Sequence, residues 1–244
     1  MTIWAILPAA GIGRRMGLET PKQYLPLNGV PVIALALRRL AQVSSIAKII
    51  VVLHPEDAHW STLELANEFG PELNGDVNRI SCVTGGERRD QSVWNALLSL
   101  KSKAGIDDWV LVHDAVRPCV RSDDIDHLIT SLRDHDVGGL LGTPADNSLK
   151  QVDREARVLN SIDRASVWNA LTPQMFRYGI LSAALEKVMN QELQVTDEAA
   201  AIELMGYQPQ MVLGSKDNIK ITHQSDLALA AKILELQAMA NHGE

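Results

Sequence analysis

Five short apolar runs, Ile3 to Leu7, Lys48 to Leu53, Arg79 to Val83, Trp109 to His113 and Gly138 to Thr143, limit what this chain can fold into. Each has the length of one strand, and a near-continuous apolar strand must be covered on both faces. Between and after them, apolar residues recur at three- and four-residue spacing over Val32 to Gln42, Asp57 to Asn67, Asp90 to Leu100 and Asp123 to Arg133. That is the period of an amphipathic helix. Strand and helix alternate, which predicts an α/β fold with a doubly wound, mostly parallel sheet between two helical layers. The 244 residues suit one domain over 1–244, and no internal repeat or Gly/Ser-rich linker divides them.

The pattern changes after Pro144. Ala145 to Asn160 is polar and runs into Ser161 to Ala170, which predicts a protruding β-arm at about 144–168. Such a segment buries little against its own domain, so a second copy, a homodimer, is the expected cover. Helices are expected at Ile180 to Gln191, Asp197 to Met205 and Asp226 to Met239, with strands at Gln210 to Leu213 and Ile219 to Thr222.

The net charge of -7 argues against nucleic acid as a partner, because that binding displaces counterions with a basic surface. Any phosphate site must be local. No apolar run is long enough to cross a bilayer, and the opening residues lack a basic leader and cleavage pattern, so a cytoplasmic protein without a membrane partner is expected. Cys82 and Cys119 form no CxxC pair, and the histidines show no HxxxH or HExxH spacing, so neither a zinc site nor a histidine-ligated metal is indicated.

Three segments carry chemistry. The first strand ends in Pro8-Ala9-Ala10-Gly11-Ile12-Gly13-Arg14-Arg15-Met16, a loop whose backbone N–H groups can cradle phosphate at the crevice beyond the strand ends. Met16 stands where a dinucleotide fingerprint has its third glycine, which weakens a dehydrogenase reading. Arg14, Arg15 and Lys22 concentrate positive charge suited to a triphosphate; solvated cations on a flexible turn are the other reading of the same residues. In Thr84-Gly85-Gly86-Glu87-Arg88-Arg89-Asp90-Gln91-Ser92, two glycines allow close approach to a flat base. Ser92 and the backbone near Gly85 can meet a pyrimidine edge, and Arg89 can order the loop. A plain helix start capped by Asp90 is the alternative. Asp114, in His113-Asp114-Ala115-Val116-Arg117, follows a buried strand, where a carboxylate can hold magnesium, with Arg117 as a second anion contact. A lone turn-forming Asp is the simpler alternative.

Together these segments resemble the 2-C-methyl-D-erythritol 4-phosphate cytidylyltransferases, nucleotidyltransferases with a Rossmann-like sheet. The likeness continues through Asp163-Arg164, Leu171-Thr172-Pro173-Gln174, Val195-Thr196-Asp197-Glu198-Ala199 and Asp217-Asn218-Ile219-Lys220. It implies transfer of CMP from CTP to a small polyol phosphate with Mg2+ as cofactor, without a covalent intermediate. It implies Arg15 and Lys22 as catalytic cations at the α-phosphate, and Pro8, Ala9, Ala10, Gly11 and Gly13 as the phosphate loop. Gly85, Gly86, Arg89 and Ser92 become the cytosine loop, with Asp114 and Ala115 beside the metal and ribose. Arg117, Ser148, Thr196, Lys220 and Arg164 fall to the acceptor, Arg164 reaching in from the other subunit. Where family members often read Pro-Val-Arg-Asp-Thr-Met-Lys, this chain has Pro144-Ala145-Asp146-Asn147-Ser148-Leu149-Lys150. That departure leaves open a pentitol phosphate such as ribitol 5-phosphate as acceptor. A CTP-binding regulator without turnover is the rival from another class, opposed by the retained Lys22, Asp114 and Lys220.

Overall fold

The computed structural model describes residues 1–11, 20–63 and 77–241. Among them run β1 (Ile3–Pro8), β2 (Pro26–Leu27), β3 (Val30–Pro31), α1 (Val32–Gln42), β4 (Ile46–Leu53), β5 (Ile80–Thr84), α2 (Arg89–Ser99), β6 (Trp109–Val112) and α3 (Ser122–Leu132). Then follow β7 (Gly138–Pro144), β8 (Leu149–Val152), β9 (Val158–Ile162), β10 (Trp168–Arg177), α4 (Tyr178–Asn190), α5 (Glu198–Glu203), β11 (Gln210–Leu213) and α6 (Ser225–Asn241). Seven strands form one sheet in the order β11-β7-β10-β6-β1-β4-β5. Every pair in it is parallel except those of β10, which runs antiparallel to both β6 and β7.

Burial explains why the strand sequences are apolar at both parities. Ala5, Leu7, Ile49, Val51 and Leu111 face α1 and α3, whose Ile33, Leu37, Leu40, Ile125 and Leu128 complete that layer. Their neighbours in sequence, Ile6, Ile50, Val52, Val110 and Val112, face α2, α4 and α5 on the opposite side. Each fully buried Leu, Ile or Val contributes about 1.5–3 kcal/mol relative to exposure. A third cluster, with Val32, Val116, Cys119, Ile221 and Ala230, seats α6 beside the loop that follows β6. The expected doubly wound sheet is therefore present.

The strand expected at Ile219 to Thr222 is absent: the Ile221 N–H reaches across to the Val116 carbonyl at 2.9 Å, but the Ile219 N–H turns back to the Asp217 carbonyl at 2.7 Å, and Ile221 alone of the four is buried. An apolar residue at every second position satisfies a tethered loop as well as a strand. Conversely β10, the longest strand among the described residues, runs on past the expected arm through Leu171 to Arg177, where no strand is expected from the sequence. Its ladder with β7 shifts register between Ala170 and Gln174, and Pro173 sits inside that shift, where no ladder N–H is needed. The helix expected over Asp57 to Asn67 extends beyond the described residues; within them Trp60–Thr62 forms a single tight turn, with Asp57 Oδ1 accepting the N–H groups of His59 and Trp60. The arm is a hairpin, β8 against β9, with Val158, Leu159 and Ile162 exposed.

Candidate active site

The loops after β1 and β5 are pinned to the end of the strand between them. Ala9 N–H donates to the Val52 carbonyl at 2.8 Å, and Gly85 N–H to the Leu53 carbonyl at 2.7 Å. Gln23, buried, donates its side-chain amide to the carbonyls of Ala9 at 2.7 Å and Gly11 at 3.0 Å, fixing the path of the small-residue loop. The loops touch at Gly85, where a Cβ would stand 2.5 Å from Ala10 Cβ and 2.9 Å from Ser92 Oγ. Only glycine permits that approach. Ser92 closes the second loop on itself, its Oγ accepting Gly86 N–H at 3.1 Å and donating to the Arg88 carbonyl at 3.0 Å. Asp90 is not the helix cap: it sits in the first turn paired with Arg88, while Gln91 Oε1 accepts the Arg88 N–H at 3.1 Å.

Asp114 follows β6 and gathers the cations. Its Oδ1 accepts from Arg89 Nε at 2.9 Å, its Oδ2 from Lys220 Nζ at 2.8 Å, and Arg117 Nε stands 3.7 Å from Oδ2. Burial opposes ionisation here, but Arg89 and then Lys220 and Arg117 overcome it and hold the Asp114 carboxyl well below the usual carboxylate range. Burial would likewise discharge Arg89, and Glu198 with Asp114 outweighs it and raises the guanidinium pKa. Arg117 donates to the Asn218 carbonyl at 2.7 Å, and Asn218 Nδ2 donates to the Thr172 carbonyl at 2.7 Å. These bonds carry the loop with Lys220 up to Asp114. Lys22 Nζ reaches that loop too, at the Ile221 carbonyl, 3.1 Å away.

One cleft thus receives Pro8, Ala9, Ala10, Gly11, Lys22, Gly86, Arg89, Ser92, Asp114, Ala115 and Lys220 among its lining, with Gly85 directly behind it. Gly13 and Arg15 lie outside the described residues. Arg117 braces the Lys220 loop and is not part of the lining. Ser148 and Thr196 are exposed and away from it, and Arg164, on the arm, donates to the Asp146 carbonyl at 2.8 Å. Sequence reasoning gave no role to Gln23, Asn218 or Glu198. The signal for Glu198 is a single acid opening the small, apolar run Ala199-Ala200-Ala201-Ile202, a place where an unpaired charge would not stay buried.

Among the described residues, no three of His, Cys, Asp and Glu converge to cage a metal. The carboxylate of Asp114 inside the cleft suits magnesium, which keeps several waters and takes its remaining ligands from substrate phosphates. Among the described residues, no helix is long and apolar enough to cross a membrane.

The profile of a family described as 2-C-methyl-D-erythritol 4-phosphate cytidylyltransferase, IspD, matches residues 3–236. A protein of that name from Hahella chejuensis is 46% identical over 228 residues, covering 93% of this chain and 91% of that one. Another from Aliivibrio fischeri is 42% identical, covering 96% and 94%. The crystal structure of the Francisella tularensis enzyme superimposes with a TM-score of 0.78 at 35% identity, over 96% of this chain and all of that one. A match over nearly the whole length, on a cleft where the small-residue loop, the paired glycines and the Asp114 cluster converge, shows that the chain belongs to the 2-C-methyl-D-erythritol 4-phosphate cytidylyltransferase family.

Proposed function

We propose that this chain transfers CMP from CTP to 2-C-methyl-D-erythritol 4-phosphate, releasing pyrophosphate and giving 4-diphosphocytidyl-2-C-methyl-D-erythritol in non-mevalonate isoprenoid synthesis. The observation that carries this reading is that Lys22 shares one cleft, at the mouth of two glycine-bearing loops, with Asp114 and the Arg89 and Lys220 paired to it. Such a cluster has no Ser-His pair to form a covalent intermediate and needs none. An ionised phosphate monoester is already a nucleophile, so attack of its oxygen in line on the α-phosphorus requires positioning and charge neutralisation rather than a general base. Lys22 and Arg15 neutralise charge gathering at the α-phosphate, Arg15 on the strength of family resemblance. The loop Pro8 to Gly13 cradles the triphosphate, and Gly85, Gly86 and Ser92 shape the cytosine pocket. Ala115 would lie beneath the ribose, and Asp114 would offer an oxygen to magnesium. Bound magnesium would draw charge from the triphosphate.

Lys220 reaches the acceptor phosphate, with Arg117 setting its loop and Ser148 and Thr196 at the periphery. The protein is read as one catalytic domain over 1–244 with its arm at 144–168, cytoplasmic and homodimeric. The exposed Val158, Leu159 and Ile162 on the hairpin favour a second copy as their cover. Arg164 on that arm then serves the neighbouring copy's cleft.

Pyrophosphate release with CTP and magnesium, comparing 2-C-methyl-D-erythritol 4-phosphate with D-ribitol 5-phosphate, tests the assignment. Turnover with the erythritol phosphate alone is expected. Turnover with the ribitol phosphate alone would move the acceptor, and CTP binding without turnover on either would establish a regulator. In the same assay Lys22→Ala and Arg15→Ala should lower kcat more than CTP affinity, and unchanged turnover in both would remove their role.

A further inference from the structure

Arg89 turns only one edge toward the cleft. Its two terminal nitrogens go to Glu198, at 2.7 and 3.0 Å, leaving Nε for Asp114 Oδ1 at 2.9 Å. A guanidinium with no other partner matches both oxygens of a single carboxylate, because the spacing of its fork fits them. Here Glu198 takes the fork, and Asp114 Oδ2 is left for Lys220 at 2.8 Å. Glu198 is 1% exposed and does not line the cleft, so it touches no substrate.

The frame that holds Glu198 is specific. Asp197 caps α5, its Oδ1 accepting Ala200 N–H at 2.9 Å and its Oδ2 accepting Gln174 Nε2 at 3.0 Å. Gln174 Oε1 in turn accepts Ala199 N–H at 2.9 Å. Gln174 stands opposite Val112, two residues before Asp114, so one strand pair sets the positions of both carboxylates.

We propose that Glu198 is a positioning residue for the transfer: by occupying the fork of Arg89 it keeps Asp114 Oδ2 turned into the cleft with Lys220 beside it. The inference rests on the roles given above to Asp114 and Lys220. It predicts coupling between Glu198 and Lys220, which share no direct contact.

A double-mutant cycle on the full chain, with Glu198→Gln, Lys220→Ala and both together, reads this out through kcat and KM for each substrate, with thermal unfolding recorded alongside. Glu198→Gln should lower kcat about 10–100-fold, the range for residues that orient a functional carboxylate from behind. The same change made on Lys220→Ala should cost less than about threefold more, since the ammonium it positions is gone. Fully additive losses overturn the inference, because separated sites that merely stabilise the fold add. Glu198→Asp keeps the charge but is one methylene shorter and draws the carboxylate back from the Arg89 fork; it carries the same cycle if Glu198→Gln does not fold. Should Lys220→Ala alone leave turnover intact, the reading of Lys220 falls and the inference with it; costly but additive single changes sink the Glu198 inference alone.

Discussion

Burial decides the protonation of His113, and His113 in turn decides the shape of the turn that presents Asp114. Its Nε2 faces the Arg117 carbonyl at 3.0 Å and so carries the proton, leaving Nδ1 to accept from the Thr172 hydroxyl at 3.0 Å. Thr172 Oγ1 accepts the Asp114 N–H at 3.2 Å, which links ring to loop. Burial lowers the His113 pKa to about 4, against partial compensation from its bond to Arg117 and from Asp114. An unfolded histidine titrates near 6.5, so between that value and 4 the unfolded chain binds the proton that the folded chain refuses. The stabilisation is complete above pH 6.5 and is lost as pH falls toward 4. Unfolding free energy should drop by about 2 kcal/mol between pH 7 and 5 on this account. Urea titrations on the protein and on His113→Gln check it; an equal drop in both would mean that other groups are responsible. Gly85 makes a second point at this scale. Gly85→Ala forces Cβ against Ala10 and Ser92 Oγ and should destabilise by about 1–3 kcal/mol. It should also weaken CTP binding by opening the contact between the two loops; unchanged CTP affinity by calorimetry would show that this contact does not shape the nucleotide site.

Among the elements, the hairpin of β8 and β9 stands apart from the sheet, and two strands with exposed apolar side chains are marginal by themselves. On the proposed homodimer, replacing Val158 and Leu159 by Ser should shift the protein toward a monomer in sedimentation velocity at micromolar concentration and lower turnover, because the reach proposed for Arg164 into the neighbouring cleft would be lost. A monomer in the unmodified protein would refute both expectations. The elements legible in the sequence are those whose signal is local. α1 matches its expected bounds because Ile33, Leu37 and Leu40 hold one face and Pro31 stops the chain before it, and β1 and β4 declare themselves by two-sided burial. β10 does not, since its pairing is made by strands distant in sequence that tolerate Pro173 in a register shift. The same limit applies in the cleft. Lys22 and Asp114 stand out as charges near glycines and strand ends and Lys220 is singled out only by the family resemblance, while Gln23 and Glu198 act through partners 12 and 109 residues away, which no spacing reveals.

Across the whole molecule the cleft divides into two halves with different foundations. The half proposed for the nucleotide rests on β1, β4, β5 and α2, whereas the half carrying Lys220 is a loop with no ladder of its own, braced from outside by α6 and the segment before α3. Asp217 is the centre of that brace. Its Oδ2 accepts from Arg121 at 2.6 Å and from Gln237 Nε2 at 2.9 Å, while Gln237 Oε1 receives Arg39 from α1 at 2.6 Å. The Asp217 carbonyl accepts Ile219 N–H at 2.7 Å, one residue before Lys220. Asp217→Ala removes the acceptor shared by these groups without touching the cleft, at a cost of about 1–3 kcal/mol for the donors left behind. Because the brace supports only one half, the loss should divide unevenly: KM for the acceptor should rise about tenfold, the equivalent of 1.4 kcal/mol, while CTP affinity stays near that of the unmodified protein. Calorimetry with CTP and initial rates across acceptor concentration separate the two. An equal loss for both substrates would show that the halves move as one body, and that the Lys220 loop draws its position from the sheet after all.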